Sequence, residues 1–290
     1  MAKFVPDANT QRWVVISPER AFRPRQAREE EKPSDIIVKN ELNFRSDCPF
    51  CFGNEKMTPP EIYRWGKNSP DDKEWLVRVV PNKYPITDLH EVIIHSPDHK
   101  GDIENLPLSH VEILLKIYRE RFKTLSQNGS VLIFNNKGFA SGESLLHPHS
   151  QVVVVPKQIK IDVLSIEPFR NIVMENDFFV VYCPDFSQWP YEVWIALKKC
   201  PHDTHGEECT FGSINDEEIS HLADILKKII CKLLAKFPSL SYNYYISPYI
   251  PWYLRIIPRL ISKAGFELGT GLNVNVVDPA QAAAELRKSF

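Results

Sequence analysis

Leu146-His147-Pro148-His149-Ser150-Gln151-Val152-Val153-Val154-Val155-Pro156 is the stretch on which the reading of the chain turns. The valine run is β-branched and reads as a buried strand. Side chains alternate faces along a strand, so His147, His149 and Gln151 are expected to point the same way. Two imidazoles and an amide on one face of an apolar strand are costly to bury without partners. A lone histidine there would read as a core residue with its hydrogen bonds satisfied, whereas three polar groups in register read as a site. Imidazole offers metal ligation and nucleophilic or acid–base chemistry. Gln151 is placed to hold a polar oxygen of whatever His149 attacks.

The rest of the composition narrows the class. The chain has 290 residues, 43% hydrophobic and 25% charged, enough for one large or two ordinary globular domains. No apolar run is long enough to span a bilayer, and Met1-Ala2-Lys3-Phe4-Val5-Pro6 lacks the apolar core of a signal peptide. Six cysteines spread through the chain suit a reducing compartment, so the expectation is a cytoplasmic protein. A net charge of −2 gives no general attraction to nucleic acid or anionic lipid, so neither is expected as a partner. An anionic substrate would have to be held by locally placed basic residues. Ser17-Pro18-Glu19-Arg20-Ala21-Phe22-Arg23 offers two such residues, although by spacing alone it is an ordinary solvated loop. Residues 28–43 are charged and read as an exposed or mobile loop.

Cys48-Pro49-Phe50-Cys51 is a Cys-x-x-Cys pair with no strand–helix context for a redox site. As a metal knuckle it needs two further ligands for tetrahedral zinc, and the local sequence does not supply them. A helix is predicted over 109–127, with Val111, Leu114, Leu115, Tyr118, Phe122 and Leu125 on one face, Ser109 and Glu112 as a capping box, and Asn128-Gly129 as its end. The strand Ser130-Val131-Leu132-Ile133-Phe134 then leads through Asn135-Asn136-Lys137-Gly138 and Gly142-Glu143-Ser144 to the histidine strand. Glycines beside a nucleophile suit close approach of a phosphate.

These segments together resemble the galactose-1-phosphate uridylyltransferase family of the histidine-triad superfamily of nucleotidyl transferases and hydrolases. The likeness is carried by His-Pro-His-Ser-Gln after Asn135-Asn136-Lys137-Gly138, by Cys48-Pro49-Phe50-Cys51-Phe52-Gly53-Asn54-Glu55, and by the Ser17–Pro24 run. It implies that His149 is the nucleophile, that Gln151 and Ser144 contact phosphate, that Asn136 binds substrate, and that Arg20 and Arg23 reach substrate phosphates, partly across a dimer interface. It also implies that one structural zinc per chain is completed by His99, in Ser96-Pro97-Asp98-His99, and by His147. His95, at the end of the strand Glu91-Val92-Ile93-Ile94, is the rival third ligand and otherwise reads as solvent-facing. Arg78-Val79-Val80-Pro81-Asn82-Lys83-Tyr84-Pro85 is similar to the segment lining base and ribose, with Asn82 chosen for a polar contact to the nucleoside.

The second half repeats the first at an offset of about a hundred residues. Glu192-Val193-Trp194-Ile195 echoes Glu91-Val92-Ile93-Ile94, and a second helix carries Ile219, Leu222, Ile225, Leu226, Ile229 and Leu233 on one face until Pro238. When Pro258 is laid on Pro156, Pro251 falls at His149 and Tyr249 at His147, so this copy has no nucleophile and reads as scaffold and sugar-side wall. The histidines of the family's second metal site are missing; Cys200, His202, His205 and Cys209 are close enough in sequence to hold an ion, with a polar loop the plainer reading. Gly265-Phe266-Glu267-Leu268-Gly269-Thr270-Gly271 has no P-loop context. By resemblance it closes the sugar-phosphate pocket, with Glu267 on the acceptor side, and a last helix covers about 279–288.

The expected architecture is α+β, with two histidine-triad-like repeats, each an antiparallel sheet with one long helix, divided as residues 1–168 and 169–290. The resemblance implies a homodimer acting on a nucleotide-sugar and a hexose 1-phosphate, most simply by exchange of UMP between UDP-glucose and galactose 1-phosphate through a nucleotidyl-histidine. ADP-glucose phosphorylase and dinucleoside-polyphosphate phosphorylase are the nearest alternatives, and a catalytically idle zinc- or nucleotide-binding protein is the alternative of another class.

Overall fold

In the computed structural model, residues 2–6, 13–23, 44–66, 75–159, 161, 164, 166, 168–199 and 209–288 are described. The valine run forms β7 (His149–Val155), buried along almost its whole length. Its neighbours are β5 (His90–Ile94) and β6 (Ser130–Lys137), both antiparallel to it. Beyond β5 lie β4 (Trp75–Pro81) and the edge strand β3 (Tyr63–Gly66). The second half supplies β8 (Ile172–Glu175), β9 (Phe179–Tyr182), β10 (Val193–Leu197), β11 (Tyr242–Ile246) and β12 (Tyr253–Pro258).

All ten strands join in one antiparallel sheet of order β3-β4-β5-β7-β6-β11-β12-β10-β9-β8. The order is a palindrome of connectivity, because each half runs edge to centre in the same sequence. The seam is the pair β6–β11, with Asn136 opposite Asn243. Both edge strands are short and irregular, with register shifts at Trp65/Gly66 in β3 and between Ile172 and Met174 in β8. A separate hairpin, β1 (Lys3–Pro6) with β2 (Trp13–Ile16), precedes a short 3-10 turn, Pro18–Phe22, that carries Arg20.

One face of the sheet is covered by two long helices. Helix α1 (Leu108–Ser126) buries Val111, Leu114, Leu115, Tyr118, Phe122 and Leu125, the set that the helical spacing predicts. Helix α2 (Asp216–Lys236) buries Ile219, Leu222, Ile225, Leu226, Ile229 and Leu233, again as predicted. The two helices pack on each other over a continuous core that takes in Val152 and Val154 from β7 and Leu254 and Ile256 from β12. Two short helices follow, α3 (Gly265–Thr270) and α4 (Pro279–Lys288), and α4 closes the core through Ala282, Ala283 and Leu286.

One local expectation fails. The cap of α1 is Pro107, with no side-chain cap hydrogen bond, because the helix starts two residues earlier than an N-cap at Ser109 allows. Glu112 accepts instead from Ser220 Oγ of α2 at 2.8 Å. The reciprocal capping box occurs in α2, where Asn215 and Glu218 satisfy each other's backbone amides. Among the described residues no helix is long and apolar enough to cross a membrane. The segment 28–43 lies outside the described residues.

Candidate active site and metal centre

The face of the sheet away from the helices carries the chemistry. Cys48, Cys51, His99 and His147 converge there, with their ligand atoms all within 4.8 Å of one another and all four residues buried. Tetrahedral zinc with bonds of about 2.0–2.3 Å sets neighbouring ligand atoms roughly 3.3–3.8 Å apart. The distances found are 3.6 Å from Cys48 Sγ to His147 Nδ1, 3.6 Å from Cys51 Sγ to His147 Nδ1 and 3.3 Å from Cys51 Sγ to His99 Nδ1. Behind the ligands, His147 Nε2 donates to Ser96 O at 2.8 Å, which leaves Nδ1 as the free lone pair. Arg45 N–H donates to Cys51 Sγ at 3.3 Å. Asn54 pins the knuckle through Arg45 O, Ser46 O and Cys48 O. Burial pushes the Cys48 thiol up to about 12 and raises Cys51 too, so two thiolates form here only against a cation. The donor set fits zinc.

His95 is not part of this cluster, and it does not face solvent. It is fully buried on the helix side of the sheet. Its Nδ1 donates to Asp102 Oδ1 at 2.9 Å, and its Nε2 accepts within reach of Ser150 Oγ at 2.7 Å and Tyr118 OH at 3.1 Å. Tyr118, Ser150 and Tyr244 bond to one another, and Lys137 Nζ bonds Asp102 Oδ2 at 2.8 Å and also Glu104. Burial opposes ionisation of Asp102, but Lys137 and His95 outweigh it and hold the carboxyl well below its usual range. This buried polar layer lies directly under β7, because Ser150 and His149 point to opposite faces.

His149 opens β7 and lines a cleft with Arg20, Arg23, Asn82, Ser144 and Gln151. His147 precedes the strand and serves the metal cluster, so only His149 and Gln151 of the three aligned residues share the cleft. The ring of His149 lies edge-on to Phe50, with centroids 5.3 Å apart. Its Nδ1 donates to His147 O at 2.9 Å, and no described residue engages Nε2. Burial lowers its pKa to about 4, so the ring is neutral near pH 7. Asn135 Nδ2 donates to His149 O at 2.8 Å and holds the backbone at this point. Arg20 is fixed by donation to Tyr84 O at 3.1 Å, and both arginines line the cleft of their own chain. Pro49, Phe50, Val80, Val92 and Leu145 make the apolar wall.

The remaining sequence-marked residues stand elsewhere. Asn136 Oδ1 accepts from Asn243 at the seam of the sheet, at 2.7 Å, outside the cleft lining. Glu267 caps α3 by accepting from Ala264 N–H at 3.0 Å and is likewise outside it. Every described lining residue comes from the first half. In the second half the corresponding face is filled: Trp194 stacks on Tyr253 at 4.0 Å, and Arg255 pairs with Glu192 at 2.7 and 2.9 Å. Strand β12 opens at Tyr253, so strand starts align His149 with Tyr253 rather than Pro251, which lies outside the strand. Either alignment leaves no imidazole. Cys200, His202 and His205 lie outside the described residues, and Cys209 is disulfide-bonded and offers no thiolate. The residue that sequence reasoning missed is His90, whose Nε2 lies 3.0 Å from Gln151 Oε1.

The family model for the galactose-1-phosphate uridyl transferase N-terminal domain matches residues 88–156, which span β5, α1, β6 and β7. Over that segment the chain is similar to the galactose-1-phosphate uridylyltransferase family. It is 27% identical to an ADP-glucose phosphorylase of Arabidopsis thaliana, over 97% of this chain and 91% of that one. It is 25% identical to the galactose-1-phosphate uridylyltransferase of Thermotoga maritima, over 97% of this chain and 96% of that one. The crystal structure of an ADP-glucose phosphorylase from Arabidopsis thaliana with bound ADP-glucose superposes with a TM-score of 0.72 at 25% identity, covering 99% of each chain. The relatives within the family are thus nucleotidyl transferases and phosphorylases.

Proposed function

We propose that this protein transfers a nucleotidyl group from a nucleoside diphosphate hexose to a phosphate-bearing acceptor through His149. The observation that carries the reading is the state of that ring: Nδ1 is committed to His147 O, and Nε2, with no partner among the described residues, belongs to a cleft lined by two arginines. The Nε2 lone pair attacks the α-phosphorus, an N–P bond forms, and the P–O bond to the hexose 1-phosphate breaks. The leaving group departs as a phosphate monoester, which needs no protonation to leave. An acceptor phosphate oxygen then attacks the same phosphorus and restores the imidazole. Arg20 and Arg23 neutralise the phosphates, and Gln151 and Ser144 donate to the phosphoryl oxygens. Zinc on Cys48, Cys51, His99 and His147, one per chain, ties the knuckle to the start of β7 and takes no part in these steps.

In the form read from the sequence, the donor is UDP-glucose and the acceptor galactose 1-phosphate. The identity to the Arabidopsis ADP-glucose phosphorylase over nearly the whole chain favours a second form, with ADP-glucose as donor and inorganic phosphate as acceptor. Label exchange from glucose 1-phosphate into UDP-glucose and into ADP-glucose, each with galactose 1-phosphate or phosphate as acceptor, separates them. His149→Ala is expected to abolish exchange with the fold intact, and wild type should retain about one acid-labile nucleotidyl group per chain. Full turnover in His149→Ala overturns the reading, and binding of nucleotide-sugar without exchange in wild type marks an idle binding protein.

A further inference from the structure

His90 opens β5 opposite Val153 of β7, with its ring buried on the cleft face. Ile86 N–H donates to His90 Nδ1 at 2.9 Å. A ring nitrogen that accepts an amide hydrogen carries the lone pair, so the proton of neutral His90 is on Nε2. Burial and the neighbouring Arg20 charge lower its pKa to about 3, and the ring keeps this single-proton form. Nε2–H therefore donates to the atom of the Gln151 amide 3.0 Å away. Asn82 adds a second constraint. Its Oδ1 accepts from Tyr84 N–H at 2.8 Å, which turns its Nδ2 towards the same Gln151 atom at 3.4 Å. The two donor nitrogens lie 3.1 Å apart because both aim at one acceptor. That atom has to be oxygen. The NH2 end of Gln151 is then left without a protein acceptor among the described residues, in the cleft that His149 lines.

We propose that His90 is a positioning residue that, with Asn82, locks the Gln151 amide so that its NH2 end is presented to the phosphoryl oxygens of a nucleotidyl group on His149. This rests on His149 being the nucleophile. An unlocked amide could turn over about its last torsion and present oxygen to oxygen, which removes a donor from the charge that develops at phosphorus. The lock is built by two backbone amides in the loop between β4 and β5, so it exists before substrate arrives.

The test uses the difference between two amide side chains. Glutamine can place a donor near the position of Nε2, whereas asparagine reaches only that of Nδ1 and preserves the bond from Ile86. Single-turnover formation of the nucleotidyl-enzyme, with UDP-glucose and with ADP-glucose, is measured in wild type, His90→Phe, His90→Asn, His90→Gln and Gln151→Ala. His90→Phe and His90→Asn should lose roughly 10²-fold in the rate of nucleotidylation, with substrate Kd within about threefold, and His90→Gln should recover most of the loss. Combining His90→Phe with Gln151→Ala should cost no more than Gln151→Ala alone. Additive losses, a change confined to Kd, or full activity in His90→Asn overturns the lock. A wild type that forms no nucleotidyl-enzyme overturns the nucleophile reading instead. The tautomer is read separately, in wild type, by 15N NMR of the imidazoles: a proton on His90 Nε2 from pH 6 to 8 supports the lock, and one on Nδ1 overturns it.

Discussion

Asp102 is held by groups that the sequence keeps far apart. It bonds His95 and Lys137, and through His95 it reaches Ser150, Tyr118 and Tyr244. Removing one member of such a set leaves a buried polar group without its hydrogen-bond partner. Asp102→Ala leaves His95 Nδ1 without its acceptor and Lys137 with Glu104 alone, and should cost about 1–3 kcal/mol, measured by urea unfolding. Because His95 is no metal ligand, that variant should still bind zinc in full, whereas His99→Ala should lose it. The contrast explains what could be read beforehand. That His149 and Gln151 share one face was legible from alternation along one apolar strand, and the meeting of Cys48, Cys51, His99 and His147 from the resemblance. His95 was not legible, since its environment is made by the 101–106 loop, by α1 and by a tyrosine of the second half. Asn82 lines the cleft, as a nucleoside contact requires, and its Nδ2 also lies 3.4 Å from Gln151 Oε1, a relation between strands that no single stretch carries.

At the scale of elements, propensity and periodicity did most of their work on the helices. The faces of α1 and α2 were readable because a 3.6-residue period survives any tertiary arrangement. Their ends were less so: Ser109 has the sequence of a cap without the geometry, and Asn215 has both. Asn215→Ala should therefore cost about 1 kcal/mol and Ser109→Ala close to nothing, compared by thermal unfolding. The order of strands was out of reach, because β7 inserts between β5 and β6 and only long-range pairing decides that. The metal knuckle is the element that ties this insertion down. Phe52 N–H bonds Pro97 O and His147 bonds Ser96 O, so the knuckle, the loop after β5 and the start of β7 meet at one point. Cys48→Ser should lower both bound zinc, by elemental analysis, and the melting temperature, because a site joining distant segments is coupled to folding.

For the whole molecule, a buried group, His90, and a half-buried one, Glu143, shape stability against pH in opposite senses. Unfolded His90 takes up a proton near pH 6.5 and folded His90 only near 3, so its contribution is complete above 6.5 and is lost as pH falls, by about 1.4 kcal/mol per pH unit. Burial pushes folded Glu143 up to about 7 from 4.5, so its contribution is complete below 4.5 and fades as pH rises through 7. His90→Gln should flatten the acid side of a urea-midpoint profile between pH 4 and 6.5, and Glu143→Gln the side between 4.5 and 7. An unchanged profile in either variant would dismiss that group. The two repeats were visible in the sequence as echoes, but their fusion into one sheet across β6 and β11 was not. Ten strands in an open sheet leave two rows of unpaired backbone at the rims. Here both rims, β3 and β8, are four residues long and kinked out of register, so a second molecule finds no straight template on which to add a strand. The same irregularity that looks like imperfect pairing is thus a guard against fibrous aggregation in a concentrated solution.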